Sequence, residues 1–282
     1  MRMDDERESR HVEDRRGAGG FSIGHSGIAG GGIGAVVIAL IAMFLGVDPA
    51  VVLNQPDGGP SPPPRPGQAP GTDEGARFVS RVLASTEDVW AREFRRAGRT
   101  YAPPRLVLFS DIVQSGCGTA QAQMGPFYCP ADQRVYVDLD FMAQLQRRLG
   151  APGDFAQAYV IAHEVGHHVQ NLLGVLPATR RAGQAAGSAA EGNAISVRTE
   201  LMADCMAGFW AQRAHAMRAI LERGDIEEGL AAAAAVGDDR IQAGHGTVRP
   251  ESFTHGSARQ RVTWFRRGLQ ADDLTACDTF GG

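Results

Sequence analysis

The sequence lacks several features that mark common classes of function. It has 28 Lys and Arg residues and 32 Asp and Glu residues, which gives a formal net charge of −4, so it has no basic excess for binding nucleic acid. None of its four cysteines forms a C-x-x-C pair, which argues against a zinc ribbon and a thioredoxin-like site. The glycine cluster Gly30–Gly34 follows no strand and precedes no Lys-Ser/Thr, so it is not a phosphate-binding loop.

The N-terminal quarter of the chain predicts a membrane anchor. Residues 1–25 are rich in charges of both signs and predict a disordered or surface-lying tail. Residues 26–47 carry no charge, and about twenty apolar residues of helix can cross a bilayer core, so we predict one uncleaved transmembrane helix there. A cleaved signal peptide is the alternative, although its small-residue cleavage site is not evident. Arg15 and Arg16 before this run predict a cytoplasmic N-terminus, with the rest of the chain outside the cytoplasm.

The remainder divides into a spacer and one globular domain. Residues 48–72 are rich in proline and glycine and predict an extended linker, with a Pro-rich ligand for a partner domain as the alternative. Residues 73–282 are long enough for one domain with its own core. Apolar spacing predicts a first helix over Asp73–Arg96, and β-forming runs predict strands from Arg105 and from Arg134. We therefore predict a mostly helical α+β domain with a small sheet.

The four cysteines all fall in this domain. In a domain outside the cytoplasm an even number of cysteines indicates disulfides, and three pairings are possible. Cys117 and Cys129 close a short loop containing glycine and proline and form the natural local pair. That leaves Cys205 to join Cys277 near the C-terminus. Free buried thiols are the alternative if the predicted location is wrong.

The most informative segment is residues 163–168, which read His-Glu-Val-Gly-His-His. Its apolar spacing predicts a helix, with Asp154 as the N-cap. On a helix His163 and His167 lie on one face, one turn apart, so both imidazoles can reach one zinc ion. Glu164 points to a neighbouring part of that face, where it can take a proton from metal-bound water. The alternative is a chance match on a buried helix.

A hydrolytic zinc site needs a third protein ligand and one open position. Glu200, on a second predicted helix over Asn193–Glu222, is the strongest candidate. Asp204 follows one turn later on the same face, where its carboxylate can accept the second ring N–H of His163. Most such carboxylate pairs are solvated surface charges. The run 201–210 is too apolar for an exposed face, however, so these two carboxylates need a buried partner.

Two other histidines and one loop complete the predicted surroundings. His255 comes just before a helix that Ser257 caps, and an imidazole close to zinc could stabilise an oxyanion. A surface or helix-entry histidine is the alternative reading. His168 lies about 100° round the helix from His167 and should not bind the same metal. Residues 183–192 are rich in Gly, Ala and Ser and predict a mobile loop between the two ligand helices.

With these motifs in order, the sequence resembles the putative neutral zinc metallopeptidase family, bacterial membrane-associated proteins of the zincin type. The motifs that carry the resemblance lie at residues 12–17, 117–118, 125–130, 135–138, 162–170, 200–210, 235–240, 253–257 and 277–280. The resemblance implies a zincin fold with a glutamate as third zinc ligand. It also implies an edge strand around Val135–Leu139 along which an extended peptide would lie.

The sequence therefore predicts a membrane-anchored zinc metallopeptidase acting on peptides or proteins outside the cytoplasm. The predicted Zn²⁺ ligands are His163, His167 and Glu200, with Glu164 as general base. One alternative is a non-catalytic zinc module that binds a peptide or an envelope partner, but Glu164 argues against it because a structural site needs no base. Another is a zinc amidase or esterase acting on cell-wall material, which the shape of the cleft would distinguish. The oligomeric state stays open.

Overall fold

The computed structural model describes residues 1–17, 73–122, 125–143, 153–244 and 246–281. They form an α+β fold that is mostly helical with a small sheet, as predicted. The strands are β1 (Val12–Asp14), β2 (Arg105–Phe109), β3 (Ile112–Ser115), β4 (Gly118–Gln121), β5 (Phe127–Cys129) and β6 (Arg134–Asp138). The helices are α1 (Glu74–Arg96), α2 (Phe155–Leu172), α3 (Val175–Gln184), α4 (Ala189–Arg218), α5 (Asp225–Ala235), α6 (Asp238–Ala243) and α7 (Ala258–Leu269).

Two of the predicted segments lie outside the described residues. These are the transmembrane helix at 26–47 and the Pro-rich linker at 48–72. Within the described ranges, no helix combines the length and the apolar character that a bilayer crossing requires.

The main sheet has four strands in the order β1-β2-β6-β5. Strands β1, β2 and β6 run parallel, and β5 runs antiparallel to β6. Because strand side chains alternate between faces, Leu106 and Val135 enter the core shared with the helices, whereas Val107 and Tyr136 face the other side. There the β3–β4 hairpin covers them, with Val113 buried in the same small cluster.

The edge of the sheet beside the helices is β5, so the predicted edge strand around Val135–Leu139 is wrong. That segment contains β6, which pairs with β2 on one side and with β5 on the other. The three residues of β5 are too few to show a strand period in the sequence. A tight turn folds them against β6: Gln133 adopts a φ of 57°, and its N–H donates to the carbonyl of Cys129 at 2.9 Å.

Helices α2 and α4 pack closely against each other in the core. A Cβ on Gly166 of α2 would lie 3.2 Å from the carbonyl oxygen of Ala203 on α4, a tighter contact than side chains normally make. The glycine in the His-Glu-Val-Gly-His motif therefore lets the two helices approach. This approach brings the side chains of both helices within reach of one another.

One local prediction around these helices is wrong, and another is confirmed only in part. The predicted loop at 183–192 is mostly helical, because α3 ends at Gln184 and α4 begins at Ala189. Ser188 caps α4 by accepting from the N–H of Glu191, a signal that the Gly/Ala/Ser-rich composition concealed. Asp154 is the N-cap residue of α2, as predicted, but its side chain makes no cap hydrogen bond, and its carboxylate instead accepts from the α-amine of Met1 at 2.6 Å.

Residues 1–17 pack on the domain, so the prediction of a disordered or surface-lying tail is wrong for them. Strand β1 extends the main sheet beside β2, and Met3 is 4% exposed within the helical core. At the other end of this segment, Arg16 donates to Asp73 at 2.6 Å. The dense charges that suggested a solvated tail instead pair with one another and with charged groups of the domain.

Both expected disulfides are present. The bond between Cys117 and Cys129 ties the turn of the β3–β4 hairpin to the edge strand β5. The bond between Cys205 and Cys277 ties α4 to a 3₁₀ turn near the C-terminus. Each bond joins a segment near the candidate site to a neighbouring element.

The packing of residues 1–17 predicts a measurable effect on stability. We expect Met3→Ala to lower the free energy of unfolding by about 2–3 kcal/mol, because it removes a buried side chain from the core. Urea unfolding measures this value. The control is Glu8→Ala at an exposed position of the same segment, which should change it by less than about 0.5 kcal/mol. Equal stability of Met3→Ala and the unmutated protein would contradict the packing.

Candidate metal centre

Helices α2 and α4 bring two imidazoles and one carboxylate together. His163 and His167 lie one turn apart on α2, and Glu200 lies on α4. The potential ligand atoms of these three residues all lie within 4.8 Å of one another. Nε2 of His163 is 3.1 Å from one carboxylate oxygen of Glu200, and Nε2 of His167 is 3.5 Å from the other. The three residues expected as ligands therefore converge on one point.

A separate side chain holds the outer nitrogen of each imidazole. Nδ1 of His163 lies 2.9 Å from Oδ1 of Asp204, the contact that the sequence predicted. Nδ1 of His167 lies 2.9 Å from Oε1 of Gln170, whose amide donates to a backbone carbonyl of α4 at 2.7 Å. In the neutral rings both acceptors favour the Nδ1–H tautomer, which leaves each Nε2 lone pair for a metal.

Sequence reasoning missed Gln170, although it comes three residues after His167 on the same helix. Residues three apart are neighbours on a helix surface, so this spacing was the available signal. A glutamine in an apolar helix gives no sign of its partner, because its amide bonds equally well to backbone, side chains or water.

Neighbouring charged groups shift the pKa values of all three candidate ligands more than burial does. Burial lowers the pKa of His163, but its hydrogen bonds to Asp204 and Glu200 outweigh burial and raise the pKa to about 10. Burial also lowers the pKa of His167, and the carboxylate of Glu200 produces a net rise. For Glu200, burial raises the pKa, but the neighbouring histidines, His255 among them, bring it well below its ordinary value. In the metal-free protein, protons therefore balance the buried carboxylates.

This donor set fits a zinc ion. Two imidazole nitrogens and one carboxylate are a ligand set of hydrolytic zinc sites, which keep a further position open. The ring nitrogens that face Glu200 have no other hydrogen-bond partner among the described side chains. A divalent cation would replace their protons as the partner of the carboxylate.

Glu164 lies beside the three ligands and is not one of the group. Its side chain is buried, and burial raises its pKa more than the charges of His167 and His163 lower it. A backbone group of Tyr128 in β5 also lowers the pKa of this carboxyl and therefore lies close to it. Glu164 therefore lies between the metal ligands and the edge of the sheet.

His168 points away from the ligand group, as its position on the helix predicts. Its Nε2 lies 2.7 Å from the carbonyl oxygen of Ala102, and its Nδ1 lies 3.0 Å from the hydroxyl of Tyr128. Asn171 donates to the same hydroxyl at 3.0 Å. These contacts anchor the edge strand β5 to α2 next to Glu164.

His255 is buried near Glu200 and is held by a carboxylate that sequence reasoning missed. Its Nδ1 lies 3.1 Å from Oδ1 of Asp238, which begins α6. The other oxygen of Asp238 accepts three backbone N–H groups, from Thr254, His255 and Gly256. The ring is therefore fixed by its Nδ1 side and is not a loose surface histidine. The motif at 235–240 contains Asp238, but nothing in that motif indicated its partner.

Asp204 is the centre of a buried network that also contains Tyr159 and Arg261. Arg261 of α7 donates to both carboxylate oxygens of Asp204 at 2.8 Å, and the hydroxyl of Tyr159 donates to Oδ1. Burial raises the pKa of Asp204, but the Arg261 guanidinium and His163 lower it to about 2. Sequence reasoning missed Arg261, because 57 residues separate it from Asp204 and no spacing marks the pair.

Comparison with known proteins gives one family. Residues 1–280 match the family described as Putative neutral zinc metallopeptidase. A relative in Escherichia coli (strain K12), named Uncharacterized protein YpfJ, is 47% identical over 289 residues, covering 100% of this chain and 99% of the relative. Another in Mycobacterium tuberculosis (strain H37Rv), named Uncharacterized protein Rv2575, is 45% identical over 263 residues, covering 85% of each chain. No solved structure matches this chain.

The family match and the geometry agree on the cofactor. Membership implies Zn²⁺, and the two imidazoles and one carboxylate described above are suitable ligands for it. The match also includes the N-terminal segment that packs on the domain. Because it extends over nearly the whole length, the chain belongs to the putative neutral zinc metallopeptidase family.

Proposed function

We propose that this protein is a zinc peptidase whose metal is held by His163, His167 and Glu200. One observation carries the proposal: three ligand atoms converge within 4.8 Å beside a fourth buried group, Glu164, that is not among them. A structural zinc site is closed by four ligands and has no need of a base. Three ligands with an adjacent carboxylate are the arrangement that hydrolysis requires.

The residues around the metal have separate roles. When bound, zinc supplies Lewis-acid chemistry by polarising the scissile carbonyl and lowering the pKa of water. Glu164 accepts the proton of the attacking water and then donates it to the leaving amine. His255, whose Nδ1 side is held by Asp238, would donate from Nε2 to the developing oxyanion.

The edge strand β5 supports an extended peptide as the substrate. β5 pairs with β6 on one side only, so its other side offers backbone groups to a peptide strand. The contact between the backbone of Tyr128 and the carboxylate of Glu164 puts this edge next to the proposed base. The anchored side chain of Tyr128 and the disulfide at Cys129 hold the strand on both sides. A peptide added here would present its backbone to Glu164.

Glu164→Gln tests the proposed reaction. We expect the zinc-loaded full-length protein in detergent to cut peptides from a diverse mixture, and the variant to cut at least about a hundredfold more slowly. Mass spectrometry reads the products, and metal analysis verifies that both proteins hold zinc. Cuts that persist in Glu164→Gln would refute its role as base. If the zinc-loaded protein leaves peptides intact but releases fragments from cell-wall material, it is an amidase. Inactivity on both would favour a binding module.

Zinc binding should release protons. Because His163 has a pKa of about 10 in the metal-free protein, it is protonated at pH 7, and zinc must displace that proton. Zinc affinity should therefore rise with pH up to about that value, since the ring loses its competing proton. Calorimetry in buffers of different ionisation enthalpy should show at least one proton released per zinc. A heat of zinc binding that is the same in every buffer would contradict the release of a proton. Glu200→Ala, which lacks one of the proposed ligands, is the weak-binding control.

The location of the domain is part of the same proposal. Two disulfides support an oxidising compartment, outside the cytoplasm. The chain positions on either side of residues 18–72 lie close together. Arg16, just before this segment, donates to Asp73, just after it, at 2.6 Å, and also to Asp14 at 2.6 Å. A strand paired with β2 cannot lie across a bilayer from β2. These contacts support residues 1–17 on the same side of the membrane as the domain, in place of the cytoplasmic tail and the single crossing that the sequence predicted.

Labelling with a membrane-impermeant maleimide on intact spheroplasts tests this arrangement. All four native cysteines are in disulfides, so the unmutated protein should stay unlabelled. We expect Glu8→Cys and Glu251→Cys, both at exposed positions, to be labelled equally without lysis. If Glu8→Cys were labelled only after permeabilisation, while Glu251→Cys was labelled without it, the N-terminus would be cytoplasmic, as the sequence predicted. If both variants were labelled only after permeabilisation, the whole domain would be in the cytoplasm.

A further inference from the structure

We propose that Arg261 is a positioning residue for the metal ligand His163 and acts through Asp204. The inference rests on the zinc site proposed above and extends it to a residue that has no role in that proposal. Arg261 contacts neither His167 nor Glu200 by hydrogen bond in the described structure. Its one contact with a proposed ligand is a terminal nitrogen 3.4 Å from Nδ1 of His163. That is longer than its two 2.8 Å bonds to Asp204, whose Oδ1 lies 2.9 Å from the same ring nitrogen. We therefore expect its effect on the metal to pass mainly through the Asp204 carboxylate.

The contact between Arg261 and Asp204 fixes the orientation of the carboxylate. Nε donates to Oδ2 and a terminal nitrogen donates to Oδ1, both at 2.8 Å. Two parallel bonds from a planar guanidinium restrict rotation of the carboxylate more than a single bond does. Oδ1, held in this way, is the atom that lies 2.9 Å from Nδ1 of His163. The guanidinium thereby sets the direction of the ring that would bind zinc.

Arg261 also supplies the charge that Asp204 needs when zinc is bound. Asp204 is 0% exposed, and a buried carboxylate without a cation is costly. As a metal ligand, His163 is a neutral imidazole and cannot provide that charge. Tyr159 donates a hydroxyl only. Arg261, itself 4% exposed, is then the cation in direct contact with Asp204 among the described residues.

Close packing of α4 and α7 holds the guanidinium at this distance. A Cβ on Gly208 of α4 would collide with the carbonyl of Phe265, and a Cβ on Gly268 of α7 would collide with the carbonyl of Cys205. The two glycines therefore let the helix backbones meet. The disulfide from Cys205 to Cys277 fixes α4 to the chain that follows α7. Arg261 projects from one rigid helix to a carboxylate on another.

The test is the zinc affinity of the full-length protein, measured by competition with a chelator of known affinity. We expect Arg261→Gln to weaken zinc binding about tenfold, near the lower end of the loss seen when groups behind metal ligands are removed. Arg261→Lys keeps the charge but not the two parallel bonds, so it should lose several-fold. Cobalt in place of zinc should show a changed visible absorption spectrum in both variants, which a loss of stability alone would not produce.

A double-variant comparison tests the route through Asp204. If Arg261 acts through this carboxylate, Arg261→Gln should add little to the loss already caused by Asp204→Asn. Arg16→Gln is the matched control, because Arg16 also bonds two carboxylates but belongs to the N-terminal segment. It should keep the zinc affinity of the unmutated protein. Losses that multiply in the double variant would overturn the proposed route.

The outcomes separate this inference from the proposed function. Unchanged zinc affinity and cobalt spectrum in folded Arg261→Gln would overturn the role of Arg261 and leave the zinc site intact. If Arg261→Gln does not fold, Arg261→Lys decides by the same comparison. If the unmutated protein binds zinc no better than His163→Ala does, the ligand assignment fails, and the role of Arg261 fails with it.

Discussion

The buried carboxylate of Asp204 is the interaction on which the site depends. It lies on α4, orients His163 of α2, and accepts two bonds from Arg261 of α7. Three helices thus meet at one side chain that water does not reach. A buried charge persists only where its partners are fixed. The glycines at which α2, α4 and α7 approach one another therefore let these three helices bring the candidate site together.

Helix α2, which carries the proposed zinc ligands His163 and His167, is also bound to the sheet edge proposed for the substrate. His168 and Asn171 hold the ring of Tyr128, and the backbone of the same tyrosine reaches Glu164. The disulfide at Cys129 fixes the other side of this strand to the β3–β4 hairpin. The proposed base, the proposed metal ligands and the strand are thus parts of one packed unit. Catalysis benefits from such rigidity, because small displacements of the reacting groups cost rate.

The N-terminal segment changes the picture of how the chain meets a membrane. A charged tail, an apolar run and a Pro-rich spacer suggest three separate parts in the sequence. In the structure the tail is the first strand of the sheet, with Met3 in the core. Its charges indicated solvation because their partners, such as Asp73 for Arg16, lie far away in the chain. Residues 1–17 and the domain form one folded body.

The sequence by itself determined the features that repeat within one element. A four-residue step on a helix puts His163 with His167, and the same step puts Glu200 with Asp204. It also predicted the Ser257 cap and both disulfides. Only the tertiary structure decided which strand forms the edge beside the site, that β1 joins the sheet, and that Arg261 reaches Asp204. The physical reason is that helical and strand periods fix neighbours along one element, whereas partners on different elements depend on how closely their backbones pack.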